Sequence, residues 1–204
     1  LNNSQKSILQ VDVAIIGAGS AGLPAFRAAQ NHTENLVLIE GGTYGTTCAR
    51  VGCMPSKLLI AAAEAAHSVE AAAEFGVHAT KPIIKGEEVM GRVRRERDRF
   101  VGFVLEGVEN IAEKHHIRSH ATFIDDHTLQ VADSTIEAKT VVIATGSSPI
   151  IMPKFAELGD RLIVNDDIFD WQTLPESVGT LASRVTEGLG PERSLAFGRI
   201  RTKL

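Results

Sequence analysis

Apolar and polar positions alternate between two periods along this chain. Val11–Gly17 (VDVAIIG) is a short run rich in β-branched residues that ends in glycine, the pattern of a buried strand. Ala21–Asn31 carries a helical pattern, and Leu36–Glu40 (LVLIE) is a second buried strand. Strand, helix and strand within about 30 residues make a βαβ unit, which requires a parallel sheet and a right-handed crossover. A loop rich in glycine and threonine follows at Gly41–Thr47.

Pro55–Phe75 is alanine-rich and stops at Gly76, so a helix is predicted there. Glu87–His115 predicts a second long helix, because Val89, Val93, Phe100, Val104, Val108 and Ile111 recur mostly every three to four positions. Short strands are predicted at Ala121–Ile124, Leu129–Ala132 and Thr135–Glu137. Thr140–Thr145 (TVVIAT), closed by Gly146, is a third buried strand. The pattern predicts an α/β fold: a Rossmann-type parallel sheet, long helices and a small β-meander. Residues 1–178 are expected to form one dinucleotide-binding domain. Residues 179–204 lack a clean period and diverge in character.

Composition narrows the function classes. A chain of 204 residues holds one large domain or two small ones. A net charge of −4, with acids and bases mixed, argues against nucleic-acid binding, which needs a basic face. The polar stretch Leu1–Gln10 has no apolar signal-peptide core, and no apolar run reaches the ~18 residues of a membrane span. A soluble cytoplasmic protein is the expectation. Two cysteines, Cys48 and Cys53, sit close together, which suits redox chemistry or half a metal site better than a secreted disulfide scaffold. His67 and His78 do not supply zinc ligands at a recognisable spacing, so no metal site is expected.

Gly17-Ala18-Gly19-Ser20-Ala21-Gly22 is a GxGxxG turn between a strand and a helix, the context in which that motif binds a dinucleotide. Gly17 permits the tight turn, Gly19 lets backbone approach a pyrophosphate, and Gly22 lets helix and strand pack closely. Phosphates then meet free N–H groups and the positive end of the helix dipole. Glu40 ends the second strand, where its carboxylate can accept the ribose hydroxyls and would repel a 2′-phosphate. This disfavours NADP at the site and leaves FAD and NAD both open. The bland alternative is a glycine turn with a surface glutamate. Pro24 falls early in the helix, where a missing N–H is tolerated.

Cys48-Ala-Arg-Val-Gly-Cys53-Met-Pro-Ser-Lys57 follows the glycine-rich loop. On one ideal helix the two cysteines would lie about 140° apart. A disulfide therefore needs a break between them, which Gly52 permits. A helix starting near Cys53–Pro55 would aim its N-terminus at the sulfurs and lower a thiol pKa, with Lys57 adding positive charge. Two unpaired buried cysteines remain the bland alternative.

GxGxxG, then Glu40, then GTTCARVGCMPSK, then ATGSSP resembles the class I pyridine nucleotide–disulfide oxidoreductases. That family includes dihydrolipoamide dehydrogenase, glutathione reductase and mercuric reductase. The resemblance covers roughly residues 9–178. It implies bound FAD and a redox-active disulfide between Cys48 and Cys53. Cys48 would exchange with substrate, Cys53 would face the flavin, and Lys57 would lie near its reactive nitrogen. Implied cofactor contacts are Gly17, Gly19, Ser20, Ala21, Gly22, Glu40, Gly41, Thr47, Lys57, Ala144, Thr145 and Gly146.

Pro-Ser-Lys-Leu-Leu favours dihydrolipoamide dehydrogenase over glutathione reductase within that family. Two positions depart from its pattern: Gly45-Thr46-Thr47-Cys48 stands for the usual Gly-Gly-Thr-Cys, and Arg50 for the usual Asn. The implied partners are a small dithiol or disulfide, or a lipoyl group, with NAD and a homodimer in the complete enzyme. The alternatives are a fragment without turnover, another family member such as a glutathione or mercuric reductase-like enzyme, or a flavin- or NAD-linked oxidoreductase whose cysteines are incidental.

A complete member is expected to continue into a second GxGxxG and an interface domain. Residues 179–204 contain neither, so the tail is expected to be a truncation, a frameshifted end or an engineered junction, and the chain alone is expected to lack NAD-linked turnover and to bind FAD weakly or not at all. His115, His116 and His120 are expected at a surface helix end. Arg92, Arg94, Arg95, Arg97 and Arg99, interleaved with Glu96 and Asp98, are expected to form a solvated helix face.

Overall fold

The computed structural model describes residues 8–151 and 153–178; the divergent tail 179–204 lies outside the described residues. Strand β1 (Ile8–Ile16) leads through helix α1 (Gly22–Gln30) to β2 (Leu36–Ile39). Three helices follow: α2 (Thr47–Val51), α3 (Cys53–Ala71) and α4 (Gly86–Glu109). Four strands close the sheet: β3 (His116–Ile117), β4 (Ala121–Phe123), β5 (Thr128–Val131) and β6 (Ser134–Ile143). Their order across the sheet is β3-β2-β1-β6-β5-β4. The first four are parallel, and β4, β5 and the start of β6 form an antiparallel meander.

The alternation of side chains along a strand splits the core into two layers. Leu36 and Leu38 of β2, with Ile15 of β1, face α1 and α4, where they meet Leu23, Phe26 and Val108. Val37 and Ile39 of β2 face the other way, joining Ile16 and the meander residues Leu129, Val131 and Ile136. Phe26 is 1% exposed. Burying such a side chain contributes roughly 2–3 kcal/mol, so α1 is held to the sheet by packing rather than by its own short length.

Several expectations need correction. The predicted strands Thr135–Glu137 and Thr140–Thr145 are one strand, β6, because β1 offers a continuous parallel partner from Ile8↔Thr135 to Ile16↔Ile143. Leu129–Ala132 ends one residue early, since Ala132 has φ +50 and turns the β5–β6 hairpin. The helix predicted to His115 stops at Glu109, capped at Asn110. His115 then turns inward, its Nδ1 lying 3.0 Å from the Leu36 carbonyl and its ring edge-on to Phe26. His116 opens β3, which the sequence pattern did not reveal. The expectation of a surface helix end fails in part: His115 and His116, at the end of a short 3₁₀ turn (Glu113–His115), are half-buried, whereas His120 is exposed.

The arginine run of α4 is also only partly solvated. Arg97, with its side chain 13% exposed, donates to the Phe169 carbonyl at 3.2 Å and to Asp170 at 2.6 Å. Arg94 donates to the Trp171 carbonyl. Arg99 stays outward and pairs with Glu96 of its own helix.

Candidate functional site: the carboxyl edge of the parallel sheet

β2 lies on one side of β1 and β6 on the other, so the strand order reverses at the carboxyl end of β1. In open α/β sheets a crevice forms at that point, and ligands bind there. The glycine turn occupies it. Gly17 has φ +108, and a Cβ on it would strike the Ala144 carbonyl. The Ala144 N–H in turn donates to the Ile16 carbonyl at 2.8 Å. The turn and the Ala144-Thr145-Gly146 segment are thus in contact, although they are far apart in sequence. A Cβ on Gly22 would run into the Gly17 carbonyl, so close packing of helix on turn needs glycine there. Gly19 differs: a Cβ there would meet nothing within 4 Å.

Glu40 follows β2 and reaches back across the turn. Its Oε2 accepts the Ala18 N–H at 2.7 Å, and its Oε1 accepts the Gly42 N–H at 2.6 Å. A carboxylate offers about four lone-pair sites, so each oxygen keeps capacity for another donor. Gly41 is covered from one side: a Cβ there would overlap the imidazole of His120. His120, an exposed residue just after β3, therefore flanks this end of the site.

These residues fit a dinucleotide. Open space in front of Gly19 admits a bulky group against the backbone. No side chain caps the N-terminus of α1, where the Leu23 N–H donates to the Gly19 carbonyl at 3.1 Å. Glu40 stands at the end of β2 with spare acceptor capacity. A cavity of about 270 Å³ continues from Gly19 and Ser20 past Leu23 to Thr46 and Phe103.

Thr46 links that cavity to the cysteines. Its φ of +59 is a left-handed value that a β-branched residue rarely adopts. Its hydroxyl accepts the Ala49 N–H at 3.1 Å and caps α2, which carries Cys48 in its first turn. α2 ends at Val51, Gly52 breaks the chain direction, and α3 starts with Cys53. A Cβ on Gly52 would sit 3.0 Å from the Thr47 carbonyl and 3.3 Å from the Cys48 Cα. Glycine therefore lets the start of α3 press against the first turn of α2. The expected break is present, and both cysteines are free thiols.

The side-chain hydrogen bond to Cys53 and partial burial raise the Cys48 pKa, while the charge of Lys57 acts the other way. The lowering expected from the helix terminus is thus not found at Cys48, because the neighbouring sulfur and desolvation outweigh the cation. Cys48 is half-buried; Cys53, Thr47 and Lys57 are exposed. Sequence reasoning missed Thr46 as a cap and His120 as a neighbour of Gly41. The departure from Gly-Gly-Thr-Cys marked the first, and nothing in the pattern marked the second.

A parallel sheet with this turn at its first βα junction, and an acid closing the second strand, defines a dinucleotide-binding α/β domain. Residues 11–179 match the family model of the pyridine nucleotide-disulphide oxidoreductases, and the chain belongs to that family. The chain is 34% identical to a mercuric reductase of Streptomyces lividans, covering 95% of this chain and 41% of that protein. It is 32% identical to a dihydrolipoyl dehydrogenase of Haloferax volcanii, covering 93% and 40%. A glutathione reductase of Burkholderia cepacia is 29% identical over 83% of this chain and 37% of its own. The chain thus spans about two fifths of the length of these curated relatives.

A solved structure, the Cu(II) complex of the HOCl-induced flavoprotein disulfide reductase RclA from Escherichia coli, shares the fold. Its TM-score is 0.59 at 23% identity, covering 80% of this chain and 34% of that one. The family is one of oxidoreductases that use FAD together with NAD(P). Among the described residues, no helix is long and apolar enough to cross a membrane.

Proposed function

We propose that this chain is the FAD-binding part of a dithiol–disulfide oxidoreductase of the dihydrolipoamide dehydrogenase type, with Cys48 and Cys53 as its redox-active pair. The observation that carries the reading is the junction at Gly52. It sets Cys53 against Cys48 on a helix capped by Thr46, and Thr46 shares a cavity with the glycine turn.

In this reading Gly17, Gly19, Ser20, Ala21 and Gly22 receive the pyrophosphate of FAD. Glu40 and Gly41 hold its adenosine end. Thr47, Lys57, Ala144, Thr145 and Gly146 border the remainder. FAD, when bound, supplies a two-electron acceptor that can return a hydride to NAD⁺.

The protein's own residues perform the thiol chemistry. A substrate thiolate attacks the Cys48 sulfur of the oxidised pair, breaks the sulfur–sulfur bond and leaves Cys53 as the thiolate. The second substrate thiol displaces Cys48, releasing the substrate as its disulfide. The pair has then gained two electrons, and its remaining proton stays on Cys48, whose pKa is raised by the hydrogen bond to Cys53. The complete enzyme acts on a small dithiol or lipoyl group, as a homodimer in the cytoplasm, and residues 1–178 form the FAD-binding domain.

A mercuric reductase is the second reading, favoured by the 34% identity to the Streptomyces lividans protein. Anaerobic mixing of the FAD-loaded chain with dihydrolipoamide, and of the pre-reduced chain with Hg(II), separates the readings. Rapid change of the flavin spectrum with dihydrolipoamide is expected. No change with dihydrolipoamide, but reoxidation of the pre-reduced chain by Hg(II), favours the second.

A further inference from the structure

α2 is five residues long, too short to persist on its own. Two of its side chains are buried, Ala49 at 5% and Val51 at 9%. Val51 packs with Val93 of α4 and with Phe169, which is 2% exposed, and Leu58 and Leu59 of α3 join the cluster. Phe169 belongs to a single 3₁₀ turn, Ile168–Asp170, more than a hundred positions along the chain. Arg97 holds that turn on α4 by the bonds to the Phe169 carbonyl and the Asp170 carboxylate, and its Nε donates to Asp98 at 2.8 Å. The guanidinium is 13% exposed but the Asp170 carboxylate is 72% exposed, so solvent screens the ion pair and the part-buried bond to the Phe169 carbonyl is the sheltered tether.

We propose that Arg97 is a positioning residue for the Cys48–Cys53 pair: by pinning Phe169 onto Val51 it holds α2, and with it Cys48, in reach of Cys53. This rests on the reading of the two cysteines as a redox pair. Closing the disulfide converts two thiols to one sulfur–sulfur bond with loss of two electrons and two protons. The equilibrium therefore depends on how often the sulfurs meet in the reduced state. A loosened α2 lowers their effective concentration and makes the disulfide easier to reduce.

The test equilibrates the full chain, without FAD, in buffers of reduced and oxidised glutathione. In this exchange the Cys48–Cys53 disulfide and two glutathione thiols become two cysteine thiols and glutathione disulfide. The disulfide fraction is counted by alkylation and mass. Arg97→Met and Phe169→Ala are each expected to shift the midpoint about tenfold toward the dithiol, about 30 mV. Arg97→Lys, which keeps the charge but not the fork, falls between. Arg99→Met, on the outer face with Glu96 and the Phe103 ring as its partners, leaves the midpoint in place.

Should Arg97→Met or Phe169→Ala fail to fold by circular dichroism, Phe169→Leu carries the same direction with most of the buried area kept. Folded Arg97 and Phe169 variants with the parent midpoint overturn the positioning role and leave the redox pair standing. A parent chain that forms no Cys48–Cys53 disulfide in any buffer overturns both.

Discussion

The carboxylate of Glu40 accepts the backbone N–H of Ala18 at 2.7 Å, tying the end of β2 to the middle of the glycine turn. With its other oxygen on Gly42, one side chain braces both walls of the site before any ligand arrives. Glu40→Gln turns one acceptor into a donor facing an N–H. We expect a loss of about 1.5–3 kcal/mol in urea unfolding, since hydrogen bonds to charged groups are in that range. FAD affinity should fall about tenfold in a fluorescence titration, the effect of about 1.4 kcal/mol.

Gly19 and Gly22 should part company on substitution. Gly22→Ala forces a methyl into the Gly17 carbonyl, and overpacking of this kind costs about 1–3 kcal/mol or more. The melting temperature of the ligand-free chain should drop. Gly19→Ala meets open space, so the ligand-free melting temperature should stay, while FAD binding weakens because the methyl stands where the pyrophosphate is proposed to lie. Equal effects of the two on the ligand-free protein would contradict this.

Thr46 carries opposed contributions. Its φ of +59 costs on the order of 1–3 kcal/mol, and its hydroxyl cap returns about 1 kcal/mol. Thr46→Gly should therefore raise the melting temperature modestly, after allowance for the looser unfolded chain. Thr46→Ala keeps the strain and loses the cap, so it should lower it. The order Gly, Thr, Ala in thermal melts checks the claim.

The Cys48 pKa lies above the ordinary thiol value, first because of the hydrogen bond to Cys53 and then because of burial. Cys53→Ala removes the larger cause. The pH midpoint for alkylation of Cys48 by iodoacetamide should then move down, and Lys57→Met should move it up. The sign carries over to stability. A proton held more tightly in the folded chain stabilises it at pH below the unfolded thiol pKa, and that contribution fades as pH rises through the folded value. The reduced chain should therefore lose stability in the alkaline range, and Cys53→Ala should lose less.

The local motifs were more legible than the topology. GxGxxG between strand and helix, Glu40 and the cysteine segment all lie in one local stretch, and local spacing is what a sequence displays. β3 escaped notice because two residues have no period, and their pairing with Leu38 and Ile39 is set by distant neighbours. The union of two predicted strands into β6 likewise depends on β1 as partner. The arginines of α4 read as a solvated face because Phe169 and Asp170, their partners, lie about seventy positions away. Thr46 broke the local rule for a left-handed position, and such a break points to a constrained site.

The central claim is that Cys48 and Cys53 form a redox pair beside a flavin held at the glycine turn. The most direct measurement is the visible absorption spectrum of the FAD-reconstituted chain before and after dithiothreitol, beside Cys53→Ser. The account predicts a flavin band at about 450 nm that gains a long-wavelength shoulder on reduction in the parent chain, and no shoulder in Cys53→Ser. A chain that retains FAD yet shows the same reduced spectrum with and without Cys53 would contradict it.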